Sequence, residues 1–143
     1  MQITKQADYA VRAIAYLAGL QPGTQASTSQ ISEMQHIPAT FLAKIVSQLS
    51  VAGFLRTARG ARGGVTLAKP ADEISLLKVV EAIDGPIALN ECTAEASICP
   101  LGDVCNIREV WCEARAELVR RLSQTTFGQL VKMEKAEAVS PLA

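Results

Sequence analysis

The sequence predicts a mainly helical fold with one small β wing, and three features point there. A helix, a short helix, a tight turn and a third helix follow one another over residues 4–53. Two short β-like runs then enclose a loop rich in glycine and arginine, and further on a long amphipathic segment carries an apolar stripe that needs a partner. The first two features together make a winged helix-turn-helix, and the third reads as a dimerisation helix.

Ala10, Val11, Ile14, Leu17 and Ala18 recur at helical spacing, so a first helix is expected over about 4–19, ended by Gly19 and Pro22-Gly23. Ser27 and Gln30 fit a capping box that opens a short helix through Met34, with Ile31 pointing inward. His36-Ile37-Pro38 reads as a tight turn, Pro38 suiting the first position of the next helix. That third helix is expected to bury Phe41, Leu42, Ile45, Val46 and Leu49, and Gly53 stops it. Phe54–Ala58 and Val65–Ala68 are the β-like runs, joined by Arg59-Gly60-Ala61-Arg62-Gly63-Gly64.

After a connection at Lys69–Asp72, Ser75 caps a helix carrying Leu76, Leu77, Val79, Val80 and Ile83, closed by Gly85-Pro86. Residues 88–105 show no sustained period. Asn106 and Glu109 suggest a cap for the long helix, whose stripe is Ile107, Trp111, Ala114, Leu118 and Leu122. Thr126 and Gln129 suggest a capping pair for a last short helix. The chain therefore divides into a winged helix-turn-helix (1–70), a connecting helix (71–87), a cysteine loop (88–106), a dimerisation helix (107–124) and a C-terminal helix and tail (125–143).

A length of 143 residues allows one domain with a real core. With 49% hydrophobic and 20% charged residues the composition is that of a globular protein, and no apolar run reaches the roughly 18 residues that span a bilayer. The N-terminus has no apolar leader pattern, so a cytoplasmic protein with no membrane partner is expected. The net charge of zero hides an asymmetry. Residues 1–70 hold seven basic and two acidic side chains, a charge of +5, whereas residues 71–143 hold seven basic and twelve acidic ones, a charge of −5. The basic half suits a polyanion.

A recognition helix reads base edges in the major groove through polar side chains near its N-terminal end. Thr40, Lys44, Ser47 and Gln48 are the candidates, and Arg56, Arg59 and Arg62 of the wing suit phosphates or a narrow minor groove. Double-stranded operator DNA is the expected partner. The competing reading is a three-helix protein-interaction domain with a solvated polar face; the wing arginines and the +5 half argue against it. No nucleophile–base pairing, phosphate loop or carboxylate pair points to an enzyme.

Three of the four cysteines, Cys92, Cys99 and Cys105, lie within 14 residues of one another. In a cytosolic chain such a group suggests metal or redox chemistry before structural disulfides. Its spacing is wider than the CxxC steps of structural zinc sites. Pro100, Gly102 and Asp103 keep the loop irregular enough to wrap an inorganic cluster, and Cys105 falls at the start of the long helix, where the dipole favours an anionic ligand. Cys112, two turns on, is either a further ligand or a small buried hydrophobe.

At this loop the chain resembles the family of iron–sulfur winged-helix transcription regulators that includes IscR, which controls cluster biogenesis, and NsrR, which senses nitric oxide. The matching segments are Ile3–Arg12, the wing Arg59–Leu67, Val79–Gly85, the Cys92/Cys99/Cys105 loop and Thr126–Val131. The resemblance implies a homodimeric transcription regulator, commonly a repressor, with an iron–sulfur cluster (4Fe–4S, or 2Fe–2S) held by Cys92, Cys99, Cys105 and one other ligand. In the IscR branch that ligand is a histidine three residues after the last loop cysteine, and here Arg108 stands there. In the NsrR branch it is an aspartate of the other subunit's first helix, and Asp8 stands at the matching position. The resemblance thus implies Asp8 as fourth ligand; the simpler alternative is an i,i+4 ion pair with Arg12. The Cys92–Cys99 step is slightly wider than the commoner spacing. His36, which otherwise reads as a turn residue, and Cys112 stay open as ligands of a smaller cluster. The expected signal is nitric oxide, redox state or iron and cluster supply. Alternatives are a zinc- or thiol-based redox regulator and, from another class, an iron–sulfur electron carrier.

Overall fold

The structure is a computed structural model that describes residues 2–94 and 105–139; Cys99 lies outside them. Helix α1 (Lys5–Gly19) starts at Thr4, whose Oγ1 accepts from the Ala7 N–H at 3.2 Å. It buries Ala7, Tyr9, Ala10, Ala13, Ile14 and Leu17 along one face. Helix α2 (Thr28–Gln35) is capped by Ser27, which accepts from the Gln30 N–H at 3.0 Å. The Gln30 side chain does not close the box; its Nε2 donates to Tyr16 Oη at 2.8 Å and so ties α2 to α1. His36 takes the left-handed conformation (φ 53°, ψ 45°) and turns the chain into α3 (Ala39–Val51).

Strands β1 (Leu55–Ala58) and β2 (Gly64–Leu67) form the antiparallel wing, with Leu55 opposite Leu67 and Arg56 opposite Thr66. Ala26 adds a single rung through mutual backbone bonds with Val65 of 3.1 and 2.7 Å, fastening the wing to the α1–α2 connection. A 3₁₀ turn (Ala71–Glu73) leads to α4 (Leu76–Asp84), capped by Ser75. Then come α5 (Glu91–Ala94), α6 (Asn106–Gln124) and α7 (Phe127–Val139).

Two apolar clusters hold these pieces. The main one joins α1, α3 and the wing to Ile74, Val79 and Phe127, so α7 packs into the core of the winged helix. A smaller one sets Leu77, Val80 and Ile87 against Leu118, Val119 and Leu122 of α6. The predicted stripe of α6 is thereby divided: Leu118 and Leu122 pack on α4, whereas Ile107 and Trp111 are 64% and 42% exposed.

Three expectations are corrected. Phe41 is not buried but 42% exposed, because Leu42, Ile45, Val46 and Leu49 already fill the inward face of α3, and its ring meets only the rim of the core at Tyr9. Asn106 does not cap α6; Cys105 occupies that position and makes no side-chain capping bond. A short helix, α5, lies where the sequence shows no period.

Gly128 marks a close approach in the first turn of α7. A Cβ there would overlap Asp72 Oδ1 and stand 2.7 Å from Asp72 Cγ and 3.1 Å from its backbone nitrogen. Gly128→Ala is therefore expected to cost about 1–3 kcal/mol by crowding. Urea titration measures this, and removing the Asp72 carboxylate in the double variant with Asp72→Ala should return part of the loss.

Candidate DNA interface and metal centre

Opposite its buried face, α3 presents Thr40, Lys44 and Ser47, all exposed. Gln48 is half-buried, and its Oε1 is buried with no hydrogen-bond partner among the described residues. Lys44 is the one charged residue of the helix. At the wing, Arg59 and Arg62 stand exposed in a tight loop closed by the Gly63 N–H donating to Gly60 O at 2.9 Å. Arg56 is set back on β1, on the sheet face it shares with Thr66. From Met34 to Ala71 the sequence holds no acidic side chain, so α3 and the wing carry only positive charges of their own.

Asp8 lies in the first turn of α1, and its Oδ2 accepts from Arg12 Nη2 at 2.8 Å. The i,i+4 ion pair is thus present, with about half of the Asp8 side chain still exposed. Arg12 does more than pair. Its Nη1 donates to Gln35 O at 3.0 Å, one residue before the His36 turn, and its guanidinium lies 4.9 Å over the Tyr9 ring. Tyr9 in turn meets Phe41 edge-on, with ring centroids 6.0 Å apart. Asp8 is therefore joined through Arg12 and Tyr9 to both ends of the turn that sets α3. No sequence pattern signals the Arg12–Gln35 bond, because its partners are 23 residues apart and the acceptor is a backbone carbonyl.

The cysteine region is rooted at two points. The Thr4 N–H donates to Asp84 Oδ2 at 3.1 Å and the Thr4 hydroxyl to Asp84 Oδ1, holding the start of α1 to the end of α4. Arg115 Nε of α6 donates to Ile87 O at 2.5 Å. Beyond that point Cys92 sits half-buried on α5, its Sγ donating to Asn90 Oδ1 at 3.1 Å, and Cys105 is half-buried at the head of α6, against which α5 packs. Among the described residues no three His, Cys, Asp or Glu side chains converge on one point. Cys99 is outside them, and an Asp8 ligand would reach the cluster of another subunit. Two thiols on adjacent elements and a solvent-reachable carboxylate are a donor set that suits iron. Cys112 is half-buried on α6, and His36 is an exposed turn residue.

A helix-turn-helix with a basic wing and a long C-terminal helix defines a winged-helix transcription regulator. The chain belongs to the Rrf2 family, described as iron-dependent transcriptional regulators, whose model matches residues 3–133. This places it among transcription regulators and not among enzymes. Solved structures agree in fold. CymR (YrzC), the global cysteine regulator of B. subtilis, is 24% identical over 93% of this chain and 98% of its own, with a TM-score of 0.81. The oxidized form of Staphylococcus aureus CymR is 26% identical over 92% and 96%, with a TM-score of 0.74. T. potens IscR is 20% identical over 100% and 94%, with a TM-score of 0.78. Among the described residues no helix is long and apolar enough to cross a membrane.

Proposed function

We propose that this protein is a cytoplasmic, homodimeric DNA-binding repressor whose operator affinity is set by an iron–sulfur cluster on Cys92, Cys99, Cys105 and Asp8 of the partner subunit. The observation that carries the reading is the chain of contacts from Asp8 through Arg12 to Gln35 O, which puts a candidate ligand in touch with the helix-turn-helix. When bound, the cluster supplies a redox- and nitric-oxide-reactive iron centre, in 4Fe–4S or 2Fe–2S form.

The rest is the work of the chain. Asp8 has two claims on its carboxylate, Arg12 within its own subunit and a metal across the dimer. The exposed ion pair is worth only a few tenths of a kcal/mol, so it hardly opposes release of Asp8. Arg12 freed of Asp8 keeps its bond to Gln35 O and its place on Tyr9 but is no longer anchored from the N-terminal side. Thr40, Lys44, Ser47 and Gln48 read bases, while Arg59 and Arg62 meet the DNA backbone or minor groove, with Arg56 behind them. The exposed part of the α6 stripe, Ile107 and Trp111, faces the second subunit together with the exposed Val110 beside it, and that pairing fixes the spacing of the two recognition helices.

The test is an anaerobic visible spectrum of the purified protein with iron and sulfide counted per chain, followed by salt-dependent DNA binding. A brown protein with equal iron and sulfide is expected. In Asp8→Ala the spectrum should change and the cluster should be lost faster, with DNA affinity no longer responding to nitric oxide. A protein that stays colourless after anaerobic reconstitution overturns the cluster. A second reading, a thiol-based redox regulator, is favoured by the likeness to the oxidized form of CymR and by the half-buried thiols of Cys92 and Cys105. It predicts a colourless protein whose DNA binding is lost with peroxide and kept in the cysteine-to-serine variants.

A further inference from the structure

A groove of about 620 Å³ opens between the last turn of α1, the α1–α2 connection and the outer side of the wing. That volume falls in the range of small-molecule sites. Leu17, which is buried, and Leu20 contribute to its apolar lining, and Thr24 and Thr66 line it as well. Two cations, Arg56 and Lys69, also line it, and among the described residues no carboxylate does. Neither cation has an ion-pair partner among the described residues; Lys69 lies only over the Phe54 ring, its Nζ 5.5 Å from the centroid. The groove thus combines an apolar lining with two uncompensated positive charges and two threonines.

We propose that this groove binds a small organic anion, a carboxylate on a short apolar body. A neutral apolar molecule would leave both cations unanswered, and a bare inorganic anion would leave the leucine lining uncovered. The two charges give a carboxylate charge-assisted contacts, the stronger class of hydrogen bond. The site lies at the opposite end of α1 from Asp8 and uses none of the cysteines, so it stands or falls independently of the cluster. An occupant would bridge α1 to the wing, which makes it a candidate effector of wing position.

Phenylacetate is the probe, titrated into the ¹⁵N-labelled full chain and followed by amide chemical shifts. Saturable shifts confined to residues 17–24, the strand around Arg56 and residues 66–71 are expected. Phenylacetamide, which has the same shape without the charge, should bind about tenfold more weakly, as should phenylacetate to Lys69→Gln and Arg56→Gln. Shifts that are absent, spread over the α6 face, or equal for acid and amide would overturn the site. So would unchanged affinity in both variants, provided their spectra show a native fold.

Discussion

Phe127→Ala is expected to destabilise the protein by about 3–5 kcal/mol, the cost of emptying a buried phenylalanine site that cannot collapse. Phe127 is fully buried and belongs to the same cluster as Ile14, Ile45 and Val65. Its surroundings are fixed from several directions. The Phe127 N–H donates to Ile74 O at 3.0 Å, the Leu76 N–H donates to Thr125 O at 2.8 Å, and Ser75 bridges Thr126. These bonds hold the start of α7 beside the start of α4, so neither can close over a void. A loss of this size is a large share of the 5–15 kcal/mol typical of a domain. Urea midpoints at fixed protein concentration give the answer. A shift under about 1 kcal/mol would mean that α7 adds little to the core, whereas Phe127→Leu should retain most of the stability.

Gly63→Ala is expected to leave the fold standing and spoil the wing. A Cβ at Gly63 would overlap Ala58 O and stand 2.8 Å from the Arg59 carbonyl carbon and 2.9 Å from that of Ala58. All three are backbone atoms, so no side chain can swing aside and the hairpin tip must open. Global stability should change little, since residues 59–62 of the tip are exposed and Gly63 is only half-buried. DNA affinity should fall at least about tenfold, because Arg59 and Arg62 flank the distorted turn. If both arginines of both subunits lose their phosphates, the slope of log affinity against log salt becomes shallower by about 3–4. Anisotropy titrations over a salt series measure both quantities. An unchanged slope would show that the wing tip does not touch DNA.

The parts of this structure legible in the sequence are those set by local chemistry. The expected helix over 4–19 is α1 at Lys5–Gly19, and Ser27, Ser75 and the reciprocal pair Thr126–Gln129 make the capping bonds their spacing suggests. The glycine–arginine hairpin is a wing because two β-prone runs flank a turn. What spacing does not carry is the meeting of distant elements. Phe41 shows this: apolarity suggests burial, but three-dimensional packing leaves it at the rim beside Tyr9. The same holds for α7, whose Phe127 reaches the core of the winged helix across more than fifty residues of intervening chain. Within the candidate site, the Asp8–Arg12 pair was readable because both lie on one helix face, whereas the bond from Arg12 to a backbone carbonyl leaves no trace in residue type.

The packing of Phe127 also sets an order of events during synthesis. The head built from residues 5–67 keeps an unsealed core until residue 127 has been made. At the usual 5–20 residues per second, the intervening 60 residues take about 3–12 s. During that interval the recognition helix and wing exist as sequence but lack the side chain that completes their packing. The ribosome therefore delivers α6 before the side chain that seals the head, and a chain stopped short of residue 127 carries a head whose core is still open.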